Sequence, residues 1–272
     1  MDFSERPRKT GAPCESLNVE NRGRHHLVKP SFVLPSPETG TNYHIYVHTP
    51  TVGQPGPWPT VYFMDGDDQF GAAVEAYEKE SDAATVSPLL LVGVGYGASY
   101  SKPANRRGRD YTPTAHSDEP TSGHADAFFR FLRSTLSPEL SRRYPTHDRI
   151  RGVAGHSLGS LLVLHALFVE DPFFSHYLAS APSIWWDDRS ILKLATKRFG
   201  RSRVLPGHLF LSVGADDSES MNGDLALLEK QLDEKPFEQL IVSPMRFPGL
   251  NHFNVLPAAF GAGLRVLFPK RG

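Results

Sequence analysis

Cysteine is nearly missing from this chain: Cys14 is the single one in 272 residues. One thiol excludes an intrachain disulfide. Cys14 lies in a polar N-terminal stretch with no local pattern that would activate it, so it reads as a bystander. Long apolar runs are also lacking. No stretch approaches the ~18 apolar residues of a membrane span. The N-terminal residues carry no apolar region of the kind a signal peptide needs, and no Asn-x-Ser/Thr acceptor occurs. A cytoplasmic address with no membrane partner is the expectation. An excess of one charge is missing too. Lys and Arg number 29 against 30 Asp and Glu, a formal net charge of −1. That balance offers no bulk attraction to nucleic acid or to an anionic membrane.

What is present is an ordinary globular composition, 39% hydrophobic and 22% charged. The length is ample for one large α/β domain. Residues 1–26 are polar and aperiodic and are expected to form an arm or leader; residues 27–272 are expected to form a single domain. Residues 31–34 and 42–48 read as strands of a hairpin. The second alternates Tyr43, Ile45 and Val47 with His44, Tyr46 and His48. Residues 50–58 hold three prolines and two glycines and read as a loop. The pattern then changes. Residues 60–64, 89–94, 150–154, 177–180, 208–213 and 240–247 are short, nearly continuous apolar runs, which suit strands buried on both faces. Helical patterns cover residues 123–136, 159–169, 189–199, 219–232 and 255–268. Strands alternating with helices imply an α/β fold with a doubly wound, mainly parallel sheet. An antiparallel N-terminal hairpin extends one edge. Residues 95–122 form a long polar loop rich in Gly, Pro and Arg, of the kind that is usually functional or disordered.

Gly155-His156-Ser157-Leu158-Gly159 matches G-x-S-x-G between an apolar strand pattern and a helical one. That context gives the motif meaning. A sharp strand-to-helix turn strains the central residue and lifts its hydroxyl off the sheet, with a helix N-terminus beneath it. Ser157 is therefore the candidate nucleophile. A serine hydroxyl needs a histidine to take its proton, and the histidine needs an acidic partner. In this architecture the chain order is Ser, acid, His. His165 lies inside the helix after the elbow, His176 and His208 are at strand starts, and His252 follows the last strand. His252 is the expected base, and His156 a packing residue. The acid is expected after the strand at 208–213. Asp217 is the first choice, with Asp216 and Glu219 as competitors. The oxyanion needs two backbone N–H donors: Leu158, after the nucleophile, and Asp67, where Gly66 lets the chain turn after the strand at 60–64. Asp65, Asp67 and Asp68 lack the rest of a calcium-loop pattern, so neither a metal nor another cofactor is expected.

These residues, taken together with Val61-Tyr62-Phe63-Met64-Asp65-Gly66, Arg109-Asp110-Tyr111-Thr112-Pro113, Ser180-Ala181-Pro182-Ser183-Ile184-Trp185-Trp186 and Gly249-Leu250-Asn251-His252, give a strong likeness. From about residue 43 to 268 the chain resembles the putative-esterase family of α/β hydrolases, nearest to the siderophore trilactone (ferric enterobactin) esterases. The resemblance implies ester hydrolysis through an acyl-enzyme, with Ser157 and His252 as the core pair. It also implies the Asp67 N–H as an oxyanion donor and Arg109 as a residue facing anionic substrate. Ser160 stands where the family usually has glycine, and Ala181 where Ser is common; both positions touch the walls of the site. Arg106, Arg107 and Arg109 with Tyr96, Tyr100 and Tyr111 read as a basic, aromatic rim. Trp185 and Trp186 read as a pocket roof, with one of them in the core. The expected partner is a small-molecule ester. Rival readings are a feruloyl or acetyl esterase, an acyltransferase, and a non-catalytic binding module on the same scaffold.

Overall fold

Alternation along each strand divides the core in two. In the computed structural model, which describes residues 29–51 and 54–270, β3 (Trp58–Phe63) sends Tyr62 to one face and Val61 and Phe63 to the other. β4 (Leu90–Gly95) sends Leu90, Val92 and Val94 one way and Leu91 the other. Since both faces are covered, both sets of side chains are apolar, and the strands read as continuous hydrophobic runs. The readings of residues 1–26 and of Cys14 lie outside the described residues.

The eight strands run in the order β1-β2-β4-β3-β5-β6-β7-β8. β1 (Phe32–Ser36) and β2 (Thr41–His48) form the antiparallel hairpin, and β2 pairs antiparallel with β4. Beyond β4 all neighbours are parallel: β3, β5 (Thr146–His156), β6 (His176–Ser180), β7 (Val204–Gly214) and β8 (Glu238–Phe247). Six parallel strands, β4 included, therefore end on one edge, and the loops that follow them are neighbours. This is the edge at which α/β sheets place their ligands.

Two helical expectations change. No helix is expected between 66 and 82, yet α1 (Gly66–Asp82) fills that span, burying Phe70, Ala73, Ala76 and Tyr77. Its inner face relies on two alanines, so the apolar contrast that marks a helix is weak. The pattern at 123–136 begins as α3 (Ala125–Arg130), passes through a π-helical turn (Phe131–Leu136) and continues as α4 (Ser137–Arg143). Pro138 does not stop it; it stands at the start of α4, where its fixed φ suits a helix. The long loop contains one short helix, α2 (Arg107–Asp110). α5 (Leu158–Phe168), α6 (Trp186–Arg201), α7 (Glu219–Glu234) and α8 (Leu256–Leu267) follow the expected pattern, with α6 starting through three left-handed residues, 187–189.

Asp110 anchors the long loop to the hairpin. Its side chain is fully buried. It accepts hydrogen bonds from Tyr43 Oη at 2.7 Å, Tyr96 Oη at 3.1 Å and Arg109 Nε at 2.7 Å. The Arg109 guanidinium also donates to Thr41 Oγ1 at 2.7 Å and to the Thr39 carbonyl at 3.4 Å. Removing one partner of such a cluster leaves the others desolvated and unpaired. Asp110→Ala is expected to cost at least about 2 kcal/mol of unfolding free energy. Urea denaturation measures it, and a loss below about 0.5 kcal/mol, the range of ordinary surface substitutions, would show that the cluster does not anchor the loop.

Candidate active site

Ser157 occupies the junction of β5 and α5 with φ 58° and ψ −120°. A non-glycine residue there is strained and persists only when its surroundings fix it. The surroundings do so. Ser157 N–H donates to the Ser180 carbonyl at 3.0 Å, and Ser183 N–H donates to the Ser157 carbonyl at 3.2 Å. Gly155 is needed for close approach: a Cβ at that position would lie 2.4 Å from the Gly159 carbonyl carbon. Ser160, which replaces the glycine expected there, places its Oγ 2.6 Å from the Gly155 carbonyl and 2.8 Å from the Ser180 carbonyl. Its hydroxyl thus ties the start of α5 to both β5 and β6.

β7 and β8 bring the other two side chains. Gly214 ends β7 against the segment after β8, where a Cβ would meet the Leu250 carbonyl oxygen at 2.2 Å. Asp216 N–H donates to that same carbonyl at 2.9 Å. This contact sets His252 between the two loops. His252 Nδ1 is 2.9 Å from Asp217 Oδ2, and Nε2 is 3.1 Å from Ser157 Oγ. A carboxylate only accepts, so the proton of neutral His252 sits on Nδ1 and leaves Nε2 to accept from the serine hydroxyl. Of the three acidic residues after β7, Asp216 and Glu219 are exposed, whereas the Asp217 side chain is 4% exposed. The structure therefore joins Asp217 to His252, and not its competitors.

The other histidines are engaged elsewhere. His165 contacts Asp126 at 2.9 Å, His176 stacks on Phe268, and His208 contacts Ser243 Oγ at 2.9 Å. His156 packs its ring 4.7 Å from that of His252. Burial, and then the proximity of His252, lower its pKa to about 3, so it is neutral at pH 7.

Asp67 and Leu158 lie in the first turns of α1 and α5, helices that follow the adjacent parallel strands β3 and β5. Among the described residues their backbone N–H groups have no acceptor, the state in which a helix N-terminus can receive an anion. The turn before Asp67 is held from two directions. Asp65, at φ 55°, is wholly buried and receives Arg107 Nε and Nη2 at 2.9 Å each, while its N–H donates to Tyr111 Oη at 3.0 Å. The Asp67 carboxylate accepts from Tyr46 Oη at 2.6 Å and from Tyr96 N–H and Gly97 N–H. Asp68 accepts from Tyr100 N–H at 3.2 Å. The three carboxylates thus face three different sets of donors.

A cavity of about 520 Å³ opens above Ser157, with Ser183, Trp185, Met221 and Phe253 in its wall. Trp185 is 50% exposed. The remaining expected rim residues are elsewhere. Arg109 is turned to Asp110 and the hairpin, because a buried carboxylate offers it more than a solvated rim does. Tyr111 is 0% exposed, its hydroxyl occupied by the Asp65 N–H. Trp186 is 6% exposed, and its indole N–H donates to the Thr114 carbonyl at 3.1 Å, which makes it the core member of the pair. Arg107 covers the Tyr100 ring while bound to Asp65. Phe253 is 92% exposed beside His252; adjacency to the histidine is its only signal in the sequence.

A histidine buried in its neutral form has a folded pKa below its unfolded one. The unfolded chain then binds more protons as pH falls below about 6.5. His156, with His176 lowered to about 4 by burial, should make stability drop between pH 6.5 and pH 4. For His156 alone the loss is about 1–2 kcal/mol by pH 5. Urea midpoints across this range should show a shallower slope for His156→Gln, and an unchanged slope would contradict the assignment.

Comparisons with known proteins agree with this architecture. The family model described as putative esterase matches residues 36–230. The ferri-bacillibactin esterase BesA of Bacillus subtilis is 30% identical over 260 residues, covering 88% of this chain and 89% of that protein. The siderophore triacetylfusarinine C esterase of Aspergillus fumigatus is 33% identical over 197 residues, 70% of this chain and 63% of that protein. The crystal structure of the BES protein from Bacillus cereus superposes with a TM-score of 0.78 at 28% identity, covering 87% of this chain and 93% of that one. With a sheet of this topology and a family match over most of its length, the chain belongs to the putative esterase family and is a carboxylic ester hydrolase of the α/β-hydrolase fold.

Proposed function

We propose that the protein is a serine esterase that opens siderophore trilactones through an acyl-enzyme. The observation that carries the reading is the hydrogen-bonded chain from Ser157 through His252 to Asp217, at the mouth of a cavity on the C-terminal edge of the sheet. Ser157 Oγ attacks the ester carbonyl as its proton passes to His252 Nε2. The oxyanion is received by the N–H groups of Asp67 and Leu158. The tetrahedral species collapses, and the proton now on Nε2 goes to the leaving alkoxide. Water then attacks the acyl-serine with His252 again as base, returning the carboxylic acid and free Ser157. Asp217 holds the Nδ1 proton and stabilises the imidazolium that forms in each half-reaction. The trilactone substrate class is supported by relatives named for ferri-bacillibactin and triacetylfusarinine C. A cytoplasmic setting belongs to the same proposal; among the described residues no helix is long and apolar enough to cross a membrane.

Ser157→Ala and His252→Ala are each expected to lower kcat on a trilactone by at least about 1,000-fold, and Asp217→Asn by about 100-fold or more. Steady-state kinetics on enterobactin-type trilactones, methyl ferulate and p-nitrophenyl acetate reads both mechanism and substrate. Ser157→Ala with wild-type turnover would end the serine mechanism. Equal weak activity on all three substrates would end the siderophore reading.

A further inference from the structure

Trp185 and Met221 stand in the wall of the cavity above Ser157, and what places them lies behind that wall. Trp185 leads into α6 through Asp187, Asp188 and Arg189, which are left-handed at φ 45°, 48° and 56°. Left-handed backbone is unfavourable for any residue with a side chain, and three in succession persist only where other contacts hold them. Two such contacts run to the long loop. The Trp186 indole donates to the Thr114 carbonyl at 3.1 Å, and Ser190 Oγ lies 3.2 Å from Thr114 Oγ1. A third, Lys193 with Asp188 at 2.9 Å, joins two exposed side chains that solvent screens.

The fourth contact is buried on one side. Arg189 Nε donates to Asp224 Oδ1 at 2.6 Å, and the Asp224 side chain is 2% exposed. Asp224 lies three residues after Met221 on the buried face of α7. Among the described residues, this is the side-chain bond that joins the left-handed turn to α7, and Asp224 Oδ2 has no partner of its own. A buried carboxylate with one cationic partner resists separation, because parting would leave it desolvated and unpaired. Neither Asp224 nor Arg189 stands in the cavity wall. We propose that Asp224 is a positioning residue for ester hydrolysis at Ser157. Through Arg189 it holds the left-handed turn that sets Trp185 against the cavity. It thereby sets affinity for esters with an aromatic or other large apolar group, which the exposed ring of Trp185 can cover. This rests on the reading of Ser157 as the nucleophile.

The test measures kcat and KM separately for 2-naphthyl acetate and for ethyl acetate. It compares the full chain with Asp224→Asn, Arg189→Gln, Trp185→Ala and the double variant Trp185→Ala/Asp224→Asn. Urea denaturation shows which variants are folded, and either Asp224→Asn or Arg189→Gln suffices for the comparison. Each should raise KM for 2-naphthyl acetate at least about threefold, with kcat within about twofold of the full chain. Both constants for ethyl acetate should stay within about twofold, since that ester has no ring to cover. Trp185→Ala should raise KM for 2-naphthyl acetate as well, and adding Asp224→Asn to it should raise KM no further. Additive effects in the double variant, or equal losses on both esters, would mark a pair that only stabilises the fold and would overturn the proposal. Ser157→Ala without activity, together with an unmoved KM in Asp224→Asn, would overturn positioning by Asp224 and leave the serine reading intact. Ser157→Ala with full turnover would overturn both.

Discussion

The site depends on two places where backbone must touch backbone. At the elbow, Gly155 lets β5 and α5 close to a separation that no side chain allows, and this forces Ser157 into its strained conformation. At the end of β7, Gly214 lets the loop after β8 lie against the loop carrying Asp217. The two contacts belong to strands two positions apart in the sheet, with β6 between them. β6 is not a spacer only. Its Ser180 carbonyl takes the N–H of Ser157 and faces the Ser160 hydroxyl, and the segment after it brings Ser183 Oγ to 3.4 Å from Ser157 Oγ. The strain at Ser157 is sustained because neighbouring strands on one edge each hold part of it.

The same edge shows how a motif can carry a family likeness without lining the pocket. Arg109, Asp110, Tyr111 and Thr112 are buried or half-buried, and the last three are fully so. Their bonds run to the hairpin, to Tyr96 just after β4 and to the turn at Asp65, which in turn holds the N-terminus of α1. The segment acts on the site at one remove, by fixing the turn before the Asp67 N–H. A buried polar network of this kind is costly when incomplete and rigid when satisfied, which suits a loop that must stay still beside a reacting carbonyl.

Much of this was legible in the sequence. The continuous apolar runs predicted the parallel sheet because burial on both faces removes alternation, and the hairpin alternated because part of it faces solvent. Ser157 and His252 could be named from the elbow and from chain order. Asp217 could be preferred but not separated from Asp216 and Glu219, since three acidic side chains in one turn differ only in direction, and direction is set by the packing of the Leu250 loop. Arg109, Tyr111 and Trp186 were expected at the pocket and lie elsewhere. Composition identifies a basic, aromatic segment, but which arginine meets which carboxylate is decided by contacts between residues far apart in the chain, such as Arg109 with Thr41. α1 was missed because alanines form much of its buried face, and Phe253 because exposure leaves no periodic trace.

The central claim is that Ser157 becomes acylated during turnover. Acid-quenching the enzyme while it hydrolyses a slowly deacylating ester, then locating the adduct by peptide mass spectrometry, tests this directly. The account predicts one acyl group per chain, on Ser157, which disappears as the substrate is consumed. An acyl group on another residue, or active turnover with no covalent adduct under conditions where deacylation is the slow step, would contradict it.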